Sequence, residues 1–113
     1  NLVLLLAFCF SARAAAAIEC SDVLSRPVHC LSYFVTPRAT LTPTSACCRE
    51  SEEVLGMANS MGAKEDLCNC FVGLIRGFRP NPNKIEGLLS SCALQLFFPI
   101  DPVTALPDCT QIQ

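Results

Sequence analysis

The chain has 113 residues, a length that suits one domain, and carries eight Lys and Arg against ten Asp and Glu, for a net charge of −2. This acidic balance argues against a nucleic-acid partner and against strong attraction to anionic bilayers. Residues 2–10 are an unbroken apolar run, followed by Ser11, Ala12, Arg13 and the small-residue stretch 14–17. The pattern is that of a secretory leader's apolar region and A-x-A cleavage site, without its charged first segment. Nine apolar residues fall short of the roughly 20 that a membrane-spanning helix needs. The chain therefore divides into a signal peptide, 1–17, cleaved after Ala16 or Ala17, and a domain, 18–113. Losing Arg13 and Cys9 with the leader leaves a net charge of −3 and eight cysteines.

The first predicted helix starts near Ser21, a candidate N-cap, and runs through Val23, Leu24, Val28 and Leu31; Pro27 inside it predicts a kink or a late start. Residues 36–44, with Pro37 and Pro43, must form a loop. Ser45 then caps a second helix with Cys48, Val54, Leu55, Ala58 and Met61 on or near one face. Glu50, Glu52 and Glu53 lie in its early half, where they favour the helix dipole. A break over 59–62 precedes a third helix, whose Leu67, Phe71, Leu74, Ile75 and Phe78 fall at i, i+4, i+7, i+8 and i+11. The segment 77–82 ends it. Asn83 and Glu86 have capping-box spacing for a fourth helix, which puts Ile85, Leu88, Leu89 and Cys92 on one side. Pro99, Pro102 and Pro107 forbid a further helix. The tail still contains Leu94, Leu96, Phe97, Phe98, Ile100, Val103 and Leu106, so it must lie over the helices.

The eight cysteines of the domain read C-x9-C-x16-CC-x19-CxC-x21-C-x16-C. An even count in a short exported chain implies a disulfide framework. Structural zinc sites favour C-x2-C pairs, which are missing here. Neighbours in CC and CxC point in different directions on a helix, so each close pair should tie its helix to two partners. Eight cysteines alone allow 105 connectivities.

The order C…C…CC…CxC…C…C resembles the eight-cysteine motif of plant non-specific lipid-transfer proteins, across essentially the whole of 18–113. The x19 and x21 intervals and the polar Asn69 within CxC fit the type 1 branch of that family. The resemblance implies bridges Cys20–Cys70, Cys30–Cys47, Cys48–Cys92 and Cys68–Cys109. It also implies an all-α fold, a four-helix disulfide-stapled bundle with an irregular C-terminal tail around an apolar cavity for one or two acyl chains. Two family motifs map onto the chain with departures. The pentapeptide [ST]-x-x-D-[RK] corresponds to Ser60-Met61-Gly62-Ala63-Lys64, with Ala63 in the acidic place; P-Y-x-I-S corresponds loosely to Phe97-Phe98-Pro99-Ile100-Asp101, without the tyrosine hydroxyl. Lys64, Phe98 and Ile100 are thus the expected headgroup and mouth residues, with Arg76 and Arg79 as further cations. The expected cavity lining is Leu24, Val28, Leu31, Val54, Ala58, Leu67, Phe71, Leu74, Ile75, Phe78, Leu88 and Leu89.

Physics makes a hollow interior possible in so small a chain. Four disulfides at roughly 2–4 kcal/mol each restrict the unfolded state, against a total stability of about 5–15 kcal/mol for a small domain. An acyl chain entering such an interior gains about 0.8 kcal/mol per buried CH2. The reading is a secreted, extracellular, monomeric lipid carrier of the cell wall. It would hold fatty acids, acyl-CoA or phospholipids, touch membranes transiently, and need no metal or cofactor. Two alternatives share the scaffold: a protease or amylase inhibitor using the loop between Pro37 and Pro43, and an antimicrobial protein. Catalysis lacks a constellation, since the single histidine, His29, sits beside Cys30 with no nucleophile elbow nearby.

Overall fold

A computed structural model of the protein describes residues 18–113; the expected leader, its cleavage site and Cys9 lie outside the described residues. Among the described residues five α-helices follow one another: α1 (Cys20–Ser25), α2 (Cys30–Val35), α3 (Ala46–Gly56), α4 (Met61–Phe78) and α5 (Pro82–Ser91). The irregular tail beyond α5 holds one antiparallel bridge, between Ile100 and Pro107.

The single first helix expected from the sequence is two helices, and Pro27 is the reason. Proline has no N–H to donate, so the helical ladder stops. The chain turns through Val28 N–H donating to the Arg26 carbonyl at 2.9 Å and Cys30 N–H to that of Pro27 at 3.1 Å. Restarting at Cys30 shifts the phase of the helix. Val23, Cys30 and Tyr33 point inward, while Leu24, Val28 and Leu31 face out at 45%, 63% and 65% exposure. Glu19, not Ser21, holds the N-cap position of α1, and it makes no side-chain bond there. The start of α2 is served by another helix: the Glu50 carboxylate of α3 accepts from His29 N–H at 3.2 Å and lies 2.7 Å from His29 Nδ1.

The other helix starts follow capping chemistry. Ser45 Oγ accepts from Cys48 N–H at 3.3 Å, and Ser60 Oγ from Ala63 N–H at 3.2 Å. Met61 therefore opens α4 rather than closing α3. Asn81 takes the cap position expected of Asn83: its Oδ1 accepts from Asn83 N–H at 2.9 Å, with Pro82 in the first turn, where its missing N–H costs nothing.

Four bridges join these elements. Cys20–Cys70 ties α1 to α4, Cys30–Cys47 ties α2 to α3, Cys48–Cys92 ties α3 to the end of α5, and Cys68–Cys109 ties α4 to the tail. This is the pairing the family resemblance implies, and each close pair reaches two different partners. Loop-closure entropy assigns about 3 kcal/mol to the bridge spanning 17 residues and about 4 kcal/mol to the one spanning 50.

The packed core occupies only part of the molecule. Val23, Val54, Ala58, Ala63, Leu67 and Cys70 form one buried cluster, with Ile18, Leu55, Met57, Phe71 and Phe97 against it. By contrast, α5 buries none of its residues, although Ile85, Leu88 and Leu89 lie along one side of it. What those side chains face instead is empty space.

Candidate functional site

A cavity of about 140 Å³ lies between α5 and the rest of the molecule. Phe34 of α2, Val54 and Leu55 of α3, and Phe71, Leu74 and Ile75 of α4 form one side of it. Ile85, Leu88 and Leu89 of α5 face them, and the tail closes the space with Leu94, Leu96, Phe98, Ile100, Ala105 and Pro107. The one polar side chain in the wall, Ser51, already donates its hydroxyl to the Cys47 carbonyl at 2.8 Å. No titratable side chain borders the space. Such a wall performs no acid–base or nucleophilic chemistry, and it excludes polar guests because it offers them no partner.

The cavity has an energetic consequence. At roughly 24 cal/mol per Å³, about 140 Å³ of empty space costs at most about 3.4 kcal/mol, the full amount applying only where it is closed to water. That is close to the contribution of one disulfide bridge. Apolar cavities of about this size in proteins stay dry and accept apolar guests.

A polar clamp holds the two helical walls together. Tyr33 Oη of α2 donates to the Lys84 carbonyl of α5 at 2.8 Å. Lys84 Nζ donates to the Thr36 and Ala39 carbonyls at 2.8 and 2.9 Å and stands 4.3 Å above the Tyr33 ring. Burial raises the Tyr33 pKa above its ordinary value. Gly87 makes room for this contact, because a Cβ there would lie 2.5 Å from Tyr33 Oη.

Of the residues expected to line a cavity, Val54, Phe71, Leu74, Ile75, Leu88 and Leu89 do so; Phe98 and Ile100, expected at the mouth, stand in the wall of the same space. Ala58 and Leu67 belong to the packed cluster instead. Leu24, Val28 and Leu31 face outward after the break at Pro27, and Phe78, the last residue of α4, is 75% exposed. Phe98 is buried, 6.0 Å from the Phe71 ring and 5.1 Å from that of Phe97. Lys64 does not border the cavity: its ammonium donates to the Gln113 backbone oxygen at 2.8 Å and stands 5.4 Å from the Phe97 ring centre. The sequence reading missed Phe34, Leu55, Ile85 and the tail residues Leu94, Leu96, Ala105 and Pro107 as lining. The signal was present in a tail too apolar to hang in water.

Beyond Ile75, which borders both spaces, lies a more open basin of about 430 Å³ formed by Arg76, Arg79, Pro80, Thr104 and Leu106. The tail segment 104–107 is the partition: Thr104 and Leu106 face the basin, Ala105 and Pro107 the cavity. Ala105 holds a left-handed φ of 64°. The turn before it is fixed by the Asp101 carboxylate, which accepts from Val103 and Thr104 N–H at 2.8 and 3.0 Å. The hydrogen bonds from Thr104 and Val103 keep the Asp101 carboxyl below its ordinary pKa, and those from Thr110 do the same for Asp108. Among the described residues, no three His, Cys, Asp or Glu side chains gather as a metal site, and no helix is long and apolar enough to cross a membrane.

Comparison with known proteins places this architecture. The chain matches no protein-family model. It is 32% identical over 101 residues to non-specific lipid-transfer protein 3 of Oryza sativa subsp. indica, spanning 88% of this chain and 79% of that protein. It is 31% identical over 107 residues to a non-specific lipid-transfer protein of Malus domestica, spanning 92% and 89%. Among solved structures it resembles non-specific lipid transfer protein 1 from barley, determined in complex with L-alfa-lysophosphatidylcholine. The TM-score is 0.65 at 27% identity, covering 85% of this chain and all of that one.

Proposed function

Because the chain belongs to the plant non-specific lipid-transfer proteins, we propose that it binds lipids by their acyl chains in the cavity beneath α5 and carries them through water. The observation that supports this most directly is the wall itself. Four helices, α2 to α5, and the tail contribute apolar side chains to one space, and the sole polar side chain in its wall, Ser51, is already hydrogen-bonded. Fatty acids, lysophospholipids and phospholipids are the ligand class, recognised by hydrocarbon rather than by a polar code. Transfer of each CH2 from water into such a space gains about 0.8 kcal/mol. Val54, Phe71, Leu74, Ile75, Leu88, Leu89, Phe98 and Ile100 are the residues assigned to the acyl chain.

The reading extends to a secreted monomer of the cell wall, matured by removal of residues 1–17, that meets membranes only while exchanging its cargo. Catalysis has no part in it.

Titration of the oxidised protein, residues 18–113, with lysophosphatidylcholine, followed by native mass spectrometry, tests the proposal. A one-to-one complex whose lipid is displaced by a fluorescent fatty acid is expected. Absence of any lipid-bound species at micromolar protein would overturn it, and so would inhibition of a protease or amylase without lipid binding.

A further inference from the structure

We propose that the basin beside Ile75 is the headgroup site and that Arg76 and Arg79 give the carrier a preference for lipids with an anionic head. The inference rests on the lipid-carrier reading and adds an orientation to it.

Three observations point the same way. First, the basin and the acyl cavity share Ile75, and the tail segment 104–107 lends alternate residues to each. A chain that ends at the shared border near Ile75 would have its head beside the basin. Second, Arg76 in the last turn of α4 and Arg79, its left-handed C-cap, both border the basin. Neither has a carboxylate within 4 Å among the described residues, where the one ion pair is His29–Glu50. Two planar, permanently charged forks in one basin suit the oxygens of a carboxylate or phosphate, which guanidinium binds bidentately. Third, the other cation expected at a mouth is otherwise engaged: Lys64 is held by the Gln113 backbone oxygen and the Phe97 ring. In a chain with more acidic than basic residues, this pair supplies positive charge next to the apolar space.

Affinities for dodecanoic acid and its methyl ester, measured by displacement of a fluorescent fatty acid, test the assignment. They are compared in the unaltered protein, Arg76→Ala/Arg79→Ala, Arg76→Lys/Arg79→Lys and Lys64→Ala. Removal of both arginines should weaken the acid about tenfold while leaving the ester within twofold, since hydrogen bonds to a charged group are lost only for the acid. The lysine pair should restore part of the difference, and added salt should weaken the acid more than the ester. Equal loss for acid and ester, or no loss for either, overturns the headgroup site and leaves the carrier reading intact. Loss of acid preference in Lys64→Ala alone places the head elsewhere and also overturns it. Inorganic phosphate titrated alone distinguishes the anion's source: binding as tight as that of the lipid would make the basin a free-anion site. If the unaltered protein binds neither acid nor ester, it is the carrier reading that fails.

Discussion

Gly87 and Tyr33 should be strongly coupled. In an unconstrained helix, Gly→Ala stabilises by about 1 kcal/mol, because glycine has more backbone freedom to lose. At Gly87 the new methyl would sit 2.5 Å from Tyr33 Oη, well inside contact distance. Tyr33 is buried, so its ring can move aside only by giving up the 2.8 Å bond to the Lys84 carbonyl and its stacking under Lys84 Nζ. The bond is worth about 1 kcal/mol, the cation–π contact about 0.5–1, and a displaced rotamer costs about 0.5–1.5. Together these exceed the propensity gain, so Gly87→Ala should destabilise the protein by about 1–2 kcal/mol. In a Tyr33→Phe background the nearest remaining ring atom, Cζ, is 3.8 Å away, an ordinary contact. There the same substitution should stabilise by about 1 kcal/mol, a coupling of roughly 2–3 kcal/mol. Guanidinium unfolding of the four proteins under non-reducing conditions, followed by far-UV circular dichroism, gives the cycle. Equal effects of Gly87→Ala in both backgrounds would refute the clamp between α2 and α5.

Other expectations are accessible to the same methods. Burial pushes the Glu50 pKa up, but the hydrogen bonds and charge of His29 outweigh it and hold the carboxyl below its usual 4.5. Its stabilising effect is therefore present above the unfolded glutamate pKa and is lost as pH falls through the lower folded value. Glu50→Gln should cost less than about 1 kcal/mol at neutral pH and progressively less as acid protonates the folded carboxyl, as unfolding midpoints at neutral and acidic pH will show. Replacing Cys20 and Cys70 together by Ala opens a 50-residue loop and should lower stability by about 4 kcal/mol. A saturating lysophospholipid should recover part of that loss in a thermal melt, because it binds only the folded state.

The sequence carried most of this architecture, and the exceptions have physical causes. Ser45 was legible as a cap because its hydroxyl competes locally for a backbone N–H, and the cysteine order carried the bridging through its likeness to a family. Periodicity could not say what a stripe would face. Leu67, Phe71 and Phe78 share one side of α4, yet the first is fully buried in the core, the second borders the cavity and the third is exposed at the helix end. An apolar stripe reports which side of a helix is apolar, not whether that side meets a side chain, a void or water. Leu24, Val28 and Leu31 misled because their spacing assumed an unbroken helix, and Pro27 reset the phase. The tail was irregular by composition, so no template assigned its residues to a face. Its positions 104–107 are sorted between cavity and basin by a turn that depends on Asp101 and a left-handed Ala105.

The claim that hydrocarbon fills the space beneath α5 is most directly tested by dissociation constants for saturated fatty acids of increasing length. At about 0.8 kcal/mol per CH2, each added carbon should tighten binding about fourfold until the cavity is filled, after which the curve flattens. Substituting Leu88 by Trp should move that plateau to shorter chains. Affinity independent of chain length from eight carbons upward, with the plateau unmoved by the substitution, would mean that the lipid binds outside and would contradict the account.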